Sequence, residues 1–387
     1  MRRRGLAFGG ALAVVAVAFV LLKLAWVHGT KMPDPVKAAA TLQTSWGDPD
    51  LQGIWREDLQ TPLERDPKFA GRDLLTDQEV EAADKRKALN ISRDSRKDRG
   101  TEKDVAGAYN AVFQAQRYTS KRTSLIVDPP DGRVPSLTSE AQKRAAETRE
   151  YLQALLQGTS GGRPGPVSPR RKDSPPYYNV DRMNRVDGPE DRSLAERCMG
   201  GGLPSWDGFN RIVQSPDSVS IVYDVGQGQA FQRVIPVNGS PHIASQIRQF
   251  WGDSRGRWEG KMLVVDVTNF SPKQDFRGSH ENLHLIERWT RLDANTLEYT
   301  VRIEDPTLWT KPWTVKVELN RQNEQANRIY YEPRCHEGNY GLGGMLANTR
   351  AAEHKFAEGR GPNPATQDNA TPGGAEAFEE GAPVPPQ

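Results

Sequence analysis

The sequence is poor in the residues on which the commonest enzyme chemistries rely. Only two cysteines and six histidines occur in 387 residues. The cysteines form no C-x-x-C pair and no Cys/His zinc pattern, which argues against a structural zinc site. There is no P-loop, no G-x-G-x-x-G between a strand and a helix, no H-E-x-x-H and no G-x-S-x-G. The glycines of Gly226-Gln-Gly-Gln join two strand-like runs and read as a hairpin turn, and Ser205 and Ser279 stand in no nucleophile elbow. Nucleotide-dependent redox chemistry and serine hydrolysis lose their usual signatures, so no cofactor is expected, and metal content stays open. Charge of one sign is also lacking. Fifty-two basic against 50 acidic residues give a net +2, too little to draw the chain to nucleic acid.

What the chain does have begins at its N-terminus. Arg2, Arg3 and Arg4 precede Gly5–Leu22, 18 residues without a charge. A basic start before an apolar segment predicts export, with the arginines left in the cytoplasm. The run is longer than the apolar part of a cleavable signal, and the nearest small-residue site, Ala38-Ala39-Ala40, lies far downstream. Residues 1–28 therefore read as a signal anchor, with residues 5–27 in the inner membrane and the body in the periplasm; a released protein is the alternative. In an oxidising compartment Cys198 and Cys335 can form one disulfide, against the alternative of two buried thiols. The mean hydropathy of -0.71 describes a polar body.

After a tether over 29–45, residues 46–157 read as helical and extended segments. Trp46-Gly-Asp-Pro-Asp-Leu-Gln-Gly-Ile-Trp55 places two tryptophans around turn residues, either as a pocket wall or as a segment pinned to the core. Thr76-Asp-Gln-Glu79 has capping-box spacing and opens a helix. Asp84–Asp104 is dense in charge, and Val105–Phe113 recurs at helical spacing behind Asp104. A short strand is expected at Ser124–Val127, and a second helix between Thr138 and Gly158. Residues 158–186 form a Pro/Gly-rich loop, and 356–387 a tail without periodicity.

Between these, residues 187–355 are β-rich. Strand-like runs fall at Arg211–Gln214, Val219–Val225, Ala230–Val237, Ile247–Trp251, Met262–Val267, Leu283–Trp289, Leu297–Ile303, Thr314–Leu319 and Ile329–Glu332, divided by turn residues. The fold class is mainly β: an antiparallel barrel or sandwich, lipocalin-like, with N-terminal segments wrapped around it. Glycine turns at Gly252–Gly256 and Glu259-Gly260 flank its clearest strand.

The register across Asp293-Ala-Asn-Thr296 decides which residues face inward. If Leu292 pairs with Thr296, one face collects Leu283, Leu285, Trp289, Leu297, Tyr299, Val301 and Ile303, and Glu287 intrudes among them. The other face then carries His284, Arg288, Thr290, Glu298 and Arg302. A slip of one residue would instead turn His284 and Arg288 inward. The first register sorts polar from apolar better. A buried Glu287 must be paired, hydrogen-bonded or protonated, which suits either a structural role or acid–base work. Asp266 poses the same question on its own strand. His242, His280, His284 and His336 flank loops, and can converge as a metal or acid–base site or stay scattered. Glu287 and His284 are thus the candidate proton-transfer residues and Arg288 a candidate oxyanion holder, with Asp266, His280 and His336 beside them. The target would be a small apolar or aromatic molecule, suited to the nine tryptophans. A lyase, isomerase or hydrolase needing no cofactor fits this set. A non-catalytic binding protein and a structural envelope protein are the alternatives.

Several runs together resemble a widespread, uncharacterised family of exported proteobacterial and acidobacterial proteins. They are Trp46–Trp55, Thr61-Pro-Leu-Glu-Arg65, Leu125-Ile-Val-Asp-Pro-Pro-Asp-Gly-Arg133, Gly252-Asp-Ser-Arg-Gly-Arg-Trp-Glu-Gly260 and Cys335-His-Glu-Gly-Asn-Tyr340. The resemblance implies export and assigns neither an activity nor catalytic residues.

Overall fold

The alternation of apolar and polar residues along the β-rich part produces a single antiparallel sheet that curls until its edges nearly meet. In the computed structural model the described residues are 42–91, 118–156, 186, 188–189, 192, 196–199, 201–226, 229–326, 335–361 and 363. The apolar start at 5–27, the helix expected at 105–113, most of the Pro/Gly-rich loop at 158–186 and the strand expected at Ile329–Glu332 all lie outside them. Among the described residues no helix is long and apolar enough to cross a membrane.

Among the described residues twelve strands occur: β1 (Gly53–Arg56), β2 (Leu59–Gln60), β3 (Tyr118–Thr119), β4 (Ile126–Asp128), β5 (Phe209–Ser215), β6 (Ser218–Gly226), β7 (Gln229–Pro236), β8 (Asp253–Glu259), β9 (Met262–Thr268), β10 (His284–Arg291), β11 (Thr296–Glu304) and β12 (Trp313–Arg321). The main sheet runs β7-β6-β5-β1-β12-β11-β10-β9-β8, with β4 added to β12. This is the barrel of the two expected alternatives, not the sandwich. The helices are α1 (Asp77–Ile91), α2 (Ser139–Leu156), α3 (Cys335–Gly338) and α4 (Tyr340–Ala357).

Two expected elements are corrected. Ile247–Trp251 forms no strand; Gln249 makes only an isolated bridge to Phe270. Gly252–Gly256, expected as a turn, instead runs into β8, with only Gly252 at positive φ. The reason is the seam. With nine strands in the path, β7 and β8 run parallel and meet by side chains. A Cβ on Gly256 would lie 2.8 Å from Val237 Cγ1 and 2.9 Å from Ile235 Cγ2. Only glycine lets the two strands come this close.

The N-terminal segments fasten the barrel at its ends. Thr76 and Glu79 form the capping box at the start of α1, Thr76 N–H donating to Glu79 Oε2 at 2.8 Å. Leu51 N–H donates to Gln214 Oε1 at 2.6 Å, and Leu51, Ile54 and Trp55 are buried. The tryptophan-flanked segment is therefore pinned to the core, although Trp46 at its start is exposed. Arg65, 6% exposed, holds Thr123 Oγ1 (3.0 Å) and the Pro130 carbonyl (2.9 Å), tying the run Thr61–Arg65 to the run Leu125–Arg133. Cys198 and Cys335 are disulfide-bonded with Cα atoms 5.3 Å apart. Asn339 caps α4 and also donates to the Glu196 carbonyl at 2.8 Å.

The seam gives a direct test. Gly256→Val should overpack it and lower stability by about 1–3 kcal/mol in a urea melt. Gly341→Ala, on α4 with nothing near its Cβ, should leave the melt within about 0.5 kcal/mol of wild type. A Gly256→Val protein as stable as wild type would remove glycine from the account of closure.

Candidate functional site

The β10–β11 ladder has the register expected from the polar and apolar patterning. Glu287 pairs with Val301, Trp289 with Tyr299 and Leu285 with Ile303, and Leu292 N–H donates to the Thr296 carbonyl at 3.0 Å. Burial alternates strictly along both strands. Glu287 faces the interior with no exposed surface, while His284 and Arg288 lie on the outer face.

The carboxylate is met inside by Arg233 of β7, whose Nη1 stands 2.8 Å from Glu287 Oε2. The two atoms lack the alignment of a hydrogen bond, so the attraction is chiefly Coulombic. Tyr299 donates its hydroxyl to Glu287 Oε1 at 2.7 Å, and Arg233 Nη2 donates to the Tyr223 hydroxyl at 2.9 Å. Burial pushes both tyrosine pKa values up, reinforced at Tyr299 by the neighbouring carboxylate. Burial also works against the Arg233 charge, but Glu287 and Tyr223 more than offset it and raise its pKa. Of the two roles open to a buried Glu287, this is the geometry of the structural one: a carboxylate held by an arginine and a tyrosine.

The other candidate residues are placed apart from it. Asp266 of β9 faces outward, where its Oδ1 lies 3.0 Å from His284 Nε2. His284 Nδ1 lies 3.3 Å from Glu304 Oε2. The hydrogen bond to Asp266 raises the His284 pKa and lowers that of Asp266. Arg288 sits on the same outer face, four residues along β10 from His284. His280 is near Gln274, its Nδ1 2.6 Å from that residue's carbonyl. His336 is exposed on α3. The structure thus brings His284 and Asp266 together, and separates both from Glu287 and His336. Glu287 and Asp266 point to opposite sides of the wall, because their strand positions differ in parity.

His242 belongs with the outer group. Its Nδ1 lies 2.7 Å from Asp253 Oδ2 and its Nε2 3.6 Å from Asp266 Oδ1. Asp253 is 5% exposed and also accepts from Ile243 N–H. The sequence placed His242 beside a loop, but not Asp253 beneath it.

A second constellation occupies the barrel end where β5, β7, β8, β10 and β12 begin. Aromatic rings converge there. Phe231 stacks on Tyr223 and Trp251 at centroid distances of 4.5 and 5.0 Å. Phe276 stacks on Trp313 at 6.2 Å and meets Trp206 edge-on at 6.5 Å. Trp206, Trp251 and Phe276 are partly exposed. Among these rings lie buried side-chain amides that find no partner. Both polar atoms of Asn210, which is 0% exposed, and of Gln274, 1% exposed, are unpaired, as is Trp313 Nε1. An unpaired buried polar group costs about 1–3 kcal/mol. Nothing in the sequence marks Asn210 or Gln274, since an isolated amide in a strand or loop carries no pattern. The opposite end is closed by Arg291, which donates to the Asp50 carbonyl at 2.7 Å and lies over the Trp55 ring.

No protein-family model and no curated protein matches the chain. Among solved structures it is similar to a mutant of the fluorescent protein UnaG, at 14% identity and a TM-score of 0.20. That similarity covers 33% of this chain and 85% of the other.

The interior pair yields a stability test. Glu287→Gln should strand the Arg233 charge and lower unfolding free energy by about 3–5 kcal/mol. Replacing both partners, as Arg233→Met with Glu287→Leu, should restore most of that loss. A Glu287→Gln protein that unfolds at the wild-type urea concentration would show that the pair is not a buried charge contact.

Proposed function

We propose that this protein binds a small apolar or aromatic molecule at the ring-lined end of its barrel, as a membrane-tethered periplasmic protein. The observation that carries the reading is the pair of unpartnered amides, Asn210 and Gln274, buried among partly exposed aromatic rings. An antiparallel barrel offers a mouth for one small ligand. Rings supply apolar contact, and the amides supply the few polar contacts that orient a bound molecule. Binding without chemistry is favoured over acid–base catalysis, because Glu287 is already committed to Arg233 and lies across the wall from His284. The tether rests on Arg2–Arg4 and the apolar run behind them, and export accords with the disulfide.

The amides make the reading testable before the natural ligand is known. Asn210→Leu should raise the stability of the free protein by about 1–3 kcal/mol, since it removes unpaired buried groups. With anilinonaphthalene sulfonate as an aromatic probe, wild type should show saturable binding that quenches tryptophan fluorescence. Trp206→Ala and Asn210→Leu should each weaken it about tenfold, and Leu292→Ser at the opposite end should not. Probe binding that ignores the two mouth variants would overturn the assignment. For topology, a reporter fused at the C-terminus should be active only outside the cytoplasm and should fractionate with the inner membrane. Cytoplasmic activity would defeat the export reading, and a soluble periplasmic protein would defeat the tether.

A further inference from the structure

The loop that brings Gln274 and Phe276 to the ring-lined barrel end closes in a two-residue hairpin turn. Phe276 N–H donates to the Ser279 carbonyl at 2.8 Å, and Ser279 N–H to the Phe276 carbonyl at 3.0 Å. Between them Arg277 and Gly278 both stand at positive φ, 56° and 90°. Such a turn favours Asn-Gly or Asp-Gly, and a long side chain at its first central position is unfavourable. The turn is also firmly mounted. Ser279, with no exposed surface, donates its hydroxyl to Asp305 Oδ2 at 2.6 Å. Behind it His280 Nδ1 meets the Gln274 carbonyl at 2.6 Å. Arg277 thus occupies a position that asparagine would suit better, and a residue held in so unfavoured a conformation marks function rather than folding.

We propose that Arg277 makes this barrel end a site for small aromatic carboxylates, its guanidinium receiving the carboxylate while the rings take the aromatic body. This rests on the reading that the ring-lined end binds an aromatic molecule, and adds that molecule's charge. Arg277 is half-buried and makes no hydrogen bond or ion pair among the described residues. Burial lowers its pKa, and the attraction of Glu64 and Asp275 does not offset that. Both carboxylates are turned to other donors. Glu64 Oε1 accepts from Val134 N–H at 2.8 Å and Asp275 Oδ1 from Gly278 N–H at 2.9 Å. The interior arginine is the opposite case: Arg233 has Glu287 at 2.8 Å, and its pKa is raised. A partly desolvated guanidinium, with five N–H donors and no acceptor of its own, gains most from a carboxylate that it can hold by two bonds. The surrounding groups suit the same ligand. Phe276, beside Arg277 in the chain, stacks on Trp313 and meets Trp206 edge-on. Trp313 Nε1 and Gln274 Nε2 are buried donors without an acceptor. The unpaired oxygens of Asn210 and Gln274 can serve a neutral ligand as well, so Arg277 is what selects the charge. A cationic ligand would meet an unpaired like charge there.

The experiment titrates 2-naphthoate and its neutral counterpart 2-naphthamide into the full chain, disulfide intact, at neutral pH, following tryptophan fluorescence. Wild type should bind naphthoate about tenfold more tightly or better, as a hydrogen-bonded charge contact allows, and added NaCl should narrow that preference. Arg277→Asn should lower naphthoate affinity to that of naphthamide and leave naphthamide within about twofold. It should also melt at or above the wild-type temperature, because Asn-Gly suits the turn. Arg350→Gln, on exposed helix α4, should change neither affinity. If Arg277→Asn melts below wild type, Arg277→Gln takes its place, and the wild-type comparison needs no variant at all. Equal affinity of wild type for the two probes would overturn the proposal, as would a naphthoate preference that survives the loss of Arg277. In either case naphthamide binding that disappears in Trp206→Ala leaves the barrel-end reading standing. A protein that binds neither probe overturns both.

Discussion

Arg233 and Glu287 belong to strands that lie far apart along the sheet. Their contact can form only if the sheet curls and brings β7 round to face β10. The charges are buried at 4% and 0% side-chain exposure, where an unmatched charge would be very costly. Curling, register and pairing are therefore bound together. A shift of one residue in β10 would send Glu287 into solvent and leave Arg233 alone in the interior. The same shift would carry Leu285 and Trp289 outward with it.

Around that contact the barrel divides its chemistry by parity. Inward positions on β9, β10 and β11 hold Val265, Val267, Leu285, Trp289, Tyr299 and Val301, all buried. Outward positions hold Asp266, His284 and Glu304, which are half-buried and within reach of one another. The two faces of one strand thus serve different ends: the inner face supplies cohesion and the outer face supplies ionisable groups on a stiff support. This is why Glu287 and His284, three residues apart, share no site. The barrel end adds a third environment, where loop aromatics meet the unpaired amides of Asn210 and Gln274.

The sequence runs that carry the resemblance map mostly onto fastenings. Trp46–Trp55 pins one end of the barrel through Leu51 and Trp55. Arg65 bonds to Thr123 and Pro130, and so holds the chain on both sides of β4. Gly252–Gly260 forms the seam strand, and Cys335–Tyr340 carries the disulfide and the Asn339 cap. Their motif-like character follows from geometry that few residues satisfy, such as a glycine without a Cβ at a parallel seam. None of these runs supplies the amides at the mouth.

The sequence by itself determined the local and periodic features. Period-two patterning located most strands and the β10–β11 register, because burying one face leaves a single good pairing. The capping box at Thr76 and the buried Glu287 were legible for the same reason: each depends on residues close in the chain. The tertiary structure alone decided what distant segments do to one another. Gly256 reads as a turn until the closing of the sheet presses β7 against it. Arg233 has no visible tie to Glu287 until the barrel curls. His242, 42 residues before His284, reaches the same aspartate only because β8, β9 and β10 lie side by side. Spacing along the chain records periodicity, but contact between faces is a property of the closed sheet.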